Sequence, residues 1–235
     1  MKIILDAGHG MDTPGKRSPD GLKEYIINRA IANYARDALS QYANTQILFT
    51  HNDKVDVPLQ TRTKQANAAK GDCLVSIHSN AAGNGKAWHP ATGIETYVYL
   101  KHSPATKTLA EHIHHQLIAT AGLPDRGIKT ADFHMLRETV MPAVLVECGF
   151  MTNQGDRQLL GSPLFQKTCG EAIASGIART FSLSRPQQMN LPKKAAAKGL
   201  YKVQVGAYGN RQNADALAQK LTKQGYPAYI IFEQS

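Results

Sequence analysis

Short apolar runs alternating with longer amphipathic stretches set the first constraint on this chain. KIILDA (2–7), TQILFT (45–50), CLVSIH (73–78), ETYVYL (95–100) and AVLVEC (143–148) are too brief for helices, and most are apolar on both faces. Between and after them run helical patterns: Leu22 to about Tyr42, about Leu59 to Lys70, Thr106 to Ala121, and Pro163 to Phe181. Strands buried on both sides and separated by helices define an α/β fold, with a largely parallel central sheet sandwiched by helices. In open sheets of this kind, sites form beyond the carboxyl ends of the strands.

Three of the runs end on a residue that can bind a metal or move a proton. KIILDAGHG breaks at Gly8 and presents His9, VSIHSN presents His78, and PAVLVECGF leads into Glu147. Imidazoles and a carboxylate converging at strand ends suit a divalent metal of zinc type, which takes three protein ligands and keeps one position for water. A third ligand is available in DGLKEYIINRAIA, where Glu24 sits in the first turn of a helix whose apolar side includes Leu22, Ile26, Ala30, Ile31 and Tyr34. The helix dipole alone would also favour a carboxylate there, so only the company of His9 and His78 makes Glu24 a ligand candidate. Glu147, between Val146 and Cys148, is expected to be partly desolvated. Its pKa would then rise toward the range useful for accepting a proton from water, although a strand-end carboxylate in an ion pair is an equal reading. No HExxH helix is present. His112, His114 and His115 lie on a helix of mixed faces and read as surface or packing residues. His134, just before the Glu147 strand, is a candidate for lining the cleft, and Asn80 and Arg137 are candidates for holding a substrate.

With 235 residues and 42% hydrophobic content, the chain can hold one ordinary domain and a smaller one. No apolar run approaches the ~20 residues that span a bilayer, and Met1-Lys2 leads directly into a strand. The expectation is therefore synthesis in the cytoplasm without a signal peptide. Cys73, Cys148 and Cys169 have no framework or metal spacing and read as buried thiols. Of the formal charge of +9, +6 lies from Ser184 onward, which favours a polyanionic partner such as an anionic cell wall. Nucleic acid is disfavoured, because neither a recognition helix nor an aromatic RNA platform is evident.

SRPQQMNLPKKAAAKG (184–199) reads as a linker, separating a domain over 1–183 from a unit over 200–235. In that unit LYKVQVGAY and PAYIIF read as strands around a helix with Ala214, Leu217, Ala218 and Leu221 on one stripe, a small β-α-β unit. About 35 residues cannot hold a core alone, so the unit is expected to pack on the first domain or on a copy of itself.

Taken together, DAGHG, GLKE, RTKQAN, SIHSNA, GIETY, HMLRE and VECGF resemble the zinc-dependent N-acetylmuramoyl-L-alanine amidases of the amidase-3 type, over about residues 1–183. The resemblance implies a twisted, mostly parallel sheet flanked by helices and one Zn2+ ion held by His9, Glu24 and His78. It also implies that Glu147 is the catalytic base and that the substrate is the amide between the lactyl group of N-acetylmuramic acid and L-alanine in peptidoglycan. The segment HGMDTPGKRSPDG (9–21) resembles the variant of phage and prophage lysins, which leads to the expectation of an endolysin that reaches the wall after release. A mother-cell autolysin with the same chemistry is the alternative. A zinc carboxypeptidase or deacetylase acting on the same polymer, and a non-catalytic wall-binding protein, are further readings. YKVQVGAYGNRQNADALAQKLTKQGYPAYII resembles about half of a SPOR-type peptidoglycan-binding module, which implies a homodimer formed through paired halves.

Overall fold

The computed structural model describes residues 1–14, 16–83, 85–185, 205–223, 226 and 228–232, and the chain divides into compact units at 1–188 and 189–235. In the first unit the apolar runs become β1 (Lys2–Ala7), β2 (Gln46–Phe49), β3 (Cys73–Asn80), β4 (Ile94–Val98) and β6 (Ala143–Phe150). The helical patterns become α1 (Glu24–Leu39), α2 (Leu59–Ala68), α3 (Pro104–Ala121) and α6 (Pro163–Thr180). Three elements carry no clear sequence signal: β5 (Asp125–Thr130) and the short helices α4 (His134–Arg137) and α5 (Gln154–Leu160). β5 is an edge strand whose side chains are largely exposed, so it lacks the apolar alternation that marks a strand.

The six strands form one sheet in the order β2-β1-β3-β6-β4-β5. Neighbours are parallel except β4 and β6, which run antiparallel. The amino ends of β4 and β5 therefore lie at the same edge as the carboxyl ends of β1, β3 and β6.

The two faces of the sheet are covered unequally. Ile3, Leu5, Val75, Ile77, Val144 and Val146 point into the large core, packed by α1, α3 and α6 through Ile27, Ile31, Ile113, Leu117 and Ile173. Ile4, Leu74, Ala143 and Leu145 point the other way into a smaller core with Ala66 of α2 and Met135 and Leu136 of α4. On α1 the buried side runs through Tyr25, Ile27, Ile31, Ala35 and Leu39, whereas Ile26, expected on the apolar stripe, is exposed. The stripe is rotated because Glu24 and Asn28 also turn inward, toward the sheet edge.

In the second unit, α7 (Arg211–Lys223) forms where the sequence calls for it, and Ala214, Leu217, Ala218 and Leu221 are half-buried. Of the expected flanking strands, the described residues 205–208 and 228–232 form no ladder among themselves, and Val205, Tyr229 and Phe232 are exposed. The expected linker beyond Arg185 and the strand residues 200–204 lie outside the described residues. Among the described residues no helix is long and apolar enough to cross a membrane.

Candidate metal centre and active site

The site is built where β1 stops. Gly8 donates its N–H to the Ile77 carbonyl at 2.9 Å, so the chain hugs β3 and turns away through His9, whose φ of 66° lies in the left-handed region. Only glycine fits at position 8, since a Cβ there would stand 2.1 Å from Cε1 of His78. The strained backbone at His9 is held from behind by Arg62 of α2, whose side chain is almost fully buried. Its guanidinium donates to the carbonyls of Ala7 (2.6 Å), Val57 (2.8 Å) and His9, and to the Asp6 carboxylate (2.9 Å). Asp6 is buried and also accepts from Thr50 (2.6 Å) and Ser76 (2.7 Å). Burial opposes its charge, but Arg62 and the two hydroxyls hold its pKa below the usual carboxylate value.

His9, Glu24 and His78 meet at this turn. The Glu24 carboxylate lies 3.1 Å from His9 Nε2 through one oxygen and 3.1 Å from His78 Nδ1 through the other, and the three ligand atoms lie within 4.8 Å of one another. Tetrahedral zinc with bonds of about 2.0–2.1 Å spaces its ligand atoms roughly 3.3 Å apart, so two imidazole nitrogens and a carboxylate oxygen here fit such an ion with little movement. Asn28, one turn along α1, donates to Glu24 (3.2 Å) and to the Gly8 carbonyl (3.2 Å) and accepts from Ser79 (3.1 Å), which fixes Glu24 relative to both histidine strands. The Ser79 backbone N–H also donates to Glu24. Although burial works against its charge, Glu24 titrates well below the usual range because both imidazoles hydrogen-bond to it. For His78 burial lowers the pKa, but the Glu24 carboxylate outweighs it and the net direction is up.

Glu147 sits beside this cluster. It pairs in register with His78 across β3 and β6, and neighbours at one register position share a face. Its Oε2 is buried and has no hydrogen-bond partner among the described residues. Burial pushes its pKa up to about 8, against the pull of His78 and with the help of the Glu24 charge. A buried carboxyl oxygen without a partner is costly to fold around. It suits a group reserved for water or substrate, and of the two readings open in the sequence the ion-paired one is absent here.

The remaining candidates are more dispersed. Asn80, at the end of β3, donates to Glu95 at 2.9 Å. His134 opens α4 with its Nε2 3.3 Å from the Thr63 hydroxyl, and Arg137 closes that helix, exposed and paired with Asp132 and Glu138. His114 is a packing residue bonded to Thr96 and Asp125. Sequence reasoning did not single out Arg62, Asn28, Glu95, Arg126 or Lys129. The first two stand one helical turn or more from any ligand. Arg126 and Lys129 lie on the unmarked strand β5, where Gly127 inside a strand was the one available signal.

An open, mostly parallel sheet with a His-Glu-His cluster at the carboxyl end of its strands, and a buried carboxyl beside the cluster, is the architecture of a metal-assisted hydrolase. Residues 3–179 match the N-acetylmuramoyl-L-alanine amidase family, and the chain belongs to it. Residues 197–235 match the SPOR domain. The sporulation-specific N-acetylmuramoyl-L-alanine amidase of Bacillus subtilis strain 168 is 34% identical over 99% of this chain and 85% of its own length. An endolysin of Bacillus phage SPP1 is 36% identical over 82% of this chain and 70% of its own length. Among solved structures, the catalytic domain of the amidase CwlV from Bacillus (Paenibacillus) polymyxa var. colistinus superposes with a TM-score of 0.72. That domain is 32% identical, and the match covers 78% of this chain and 99% of it.

Proposed function

We propose that the chain hydrolyses the amide between the lactyl group of N-acetylmuramic acid and L-alanine in peptidoglycan, at a single zinc ion held by His9, Glu24 and His78, with Glu147 as the proton-transfer residue. The observation that carries this is the unpartnered Glu147 oxygen in register with His78, beside three donors whose spacing fits a tetrahedral ion. Bound there, zinc would polarise the scissile carbonyl and acidify a water molecule. Glu147, its pKa raised toward neutrality, takes a proton from the attacking water and returns it to the leaving nitrogen. Asn28 and Arg62 hold Glu24 and His9 in place. Asn80, His134 and Arg137 are the substrate-binding residues of this reading.

Domain limits of 1–183 for catalysis, 184–199 for the linker and 200–235 for wall binding complete the reading. The exposed Val205, Tyr229 and Phe232 support pairing of two copies through the second unit, and a monomer in sedimentation at micromolar concentration would count against it. Both biological settings begin with release to the wall. The relative named for sporulation aligns through the second unit as well, which favours a mother-cell autolysin over a phage endolysin.

The test is digestion of purified Gram-positive peptidoglycan, scoring new amino termini. New L-alanine termini that vanish with chelator and return with zinc support the amidase. Other termini indicate a peptidase, and none under any metal condition leaves a wall-binding protein.

A further inference from the structure

The row of side chains that starts at His78 on β3 does not end at Glu147 on β6. Glu147 pairs with Glu95 on the antiparallel neighbour β4, and Glu95 meets Arg126 and Lys129 from β5. Glu95 is buried and fully engaged: one oxygen accepts from Arg126 Nε (2.7 Å) and Lys129 Nζ (2.6 Å), the other from Asn80 (2.9 Å) and Tyr97 (2.7 Å). Two residues three apart on a regular strand point to opposite faces. Arg126 and Lys129 reach the same carboxylate because β5 carries an irregularity: Ile94 pairs with Asp125 but Thr96 pairs with Ile128, so β5 has one extra residue. Gly127, at φ 82°, lies within it. Bulges of this kind re-aim side chains beside active sites.

One cation would neutralise Glu95; the bulge brings two. Each keeps more than a third of its side chain exposed, and Arg126 is also steadied by the Phe150 ring, 5.0 Å from its guanidinium carbon. Of its two terminal nitrogens, Nη1 makes only a 3.5 Å contact with the Thr92 carbonyl. The result is a surplus positive charge, fixed in place, one to two strand spacings from Glu147, or about 5–10 Å.

We propose that Arg126 and Lys129 bind a carboxylate on the peptide side of the substrate: the free α-carboxylate of the second stem residue, a γ-linked D-glutamate. The inference rests on the amidase reading, which fixes direction. Glu147 returns its proton to the leaving nitrogen, so that nitrogen lies over Glu147. The metal cluster occupies the β1–β3 side, leaving the peptide to run toward β4 and β5. The α-carboxylate stands five bonds from the leaving nitrogen, about 7 Å when extended, which matches the distance to the cation pair. An acidic stem would be favoured over one whose α-carboxyl is amidated, because the amide offers neither a negative charge nor a two-oxygen acceptor to the guanidinium.

The test uses the zinc-loaded full chain and two synthetic substrates, N-acetylmuramoyl-L-alanyl-γ-D-glutamyl-L-lysine and the same compound with the α-carboxyl of glutamate as the amide. The readout is the ratio of kcat/KM for acid over amide within each protein, which a general loss of folded enzyme does not move. Wild type is expected to prefer the acid about ten- to hundredfold, mostly through KM, the factor one or two charge-assisted hydrogen bonds supply. Lys129→Met and Arg126→Gln should each bring the ratio toward one, and Lys129→Arg should keep it. Equal cleavage of both compounds by wild type, or variants that retain the full preference, would overturn the subsite alone. No cleavage of either compound by wild type would overturn the amidase reading and the subsite with it.

Discussion

Arg62→Met tests how the fold holds the turn that carries His9. The side chain is almost fully buried and donates five hydrogen bonds, of which those to Asp6, Ala7, Val57 and His9 tie the ends of β1 and of the segment before α2 together. Methionine fills similar volume but leaves the Asp6 carboxylate buried with only Thr50 and Ser76 as donors. Breaking a buried pair from one side costs about 3–5 kcal/mol, and for a domain of this size each kcal/mol lowers Tm by roughly 2–4 °C. Thermal unfolding by circular dichroism should therefore show a fall of roughly 6–20 °C. Adding Asp6→Asn should recover part of that loss, because the uncompensated charge is then gone. The acid side gives a second sign. Asp6 has a depressed pKa in the folded protein, so its contribution is present above the ordinary carboxylate pKa of 3.8 and is lost as pH falls through the lower folded value. Wild type and Arg62→Met should thus converge in stability on acidification. A single-variant loss below about 1 kcal/mol, or simple addition of the two single losses in the double variant, would refute the account.

Glu147→Gln keeps shape and the metal cluster but removes the proton acceptor; kcat should fall roughly 10²–10⁴-fold while zinc binding measured by a competing chelator stays close to wild type. In chelated protein the same change should alter the pH profile of stability. With the folded pKa up near 8 and the ordinary value at 4.5, wild type loses stability as pH rises across that interval, and the Gln variant should lack the loss. Gly8→Ala places a Cβ within 2.1–2.5 Å of three His78 ring atoms, so the ring must leave its position; zinc affinity should drop at least roughly a hundredfold, read by the same competition. Removing zinc should abolish hydrolysis reversibly. With free zinc at a hundredfold over its Kd, the loaded protein should be more stable by about 2.7 kcal/mol in thermal melts.

The parts legible in the sequence are those in which chemistry and periodicity coincide. β1, β3 and β6 are continuous apolar runs because both faces of the sheet are covered there, and their end residues stand out because His9, His78 and Glu147 interrupt an apolar context. Glu24 was legible only by association, since a first-turn carboxylate has an ordinary helical explanation. β5 was not legible: DRGIKT sits at an exposed edge, where burial imposes no alternation and a bulge removes what remains. In the second unit the helix is legible from its apolar stripe. Its flanking strand patterns lie partly outside the described residues.

Unequal coverage of the sheet explains why the site lies on one face. Asp6, Ser76, His78, Glu147 and Glu95 all belong to the side that α2 and α4 cover only partly, whereas Ala7, Ile77, Val146 and Cys148, adjacent in sequence, are sealed under α1, α3 and α6. On the sealed face a polar group stays only where a helix supplies its partner, as His114 does for Thr96. On the other face polar groups bond to one another, as Asp6 does with Ser76 and Arg62, or stay open, as Glu147 does. The antiparallel turn of β4 then extends the row past the last parallel strand, since it brings the amino ends of β4 and β5 to the edge where β3 and β6 finish. A fully parallel sheet would put the start of β4 at the opposite edge, and Glu95 with its two cations would be a strand length from Glu147. The reversed pair β4 and β5 is therefore what gives the His9, Glu24 and His78 cluster a charged neighbour beyond Glu147.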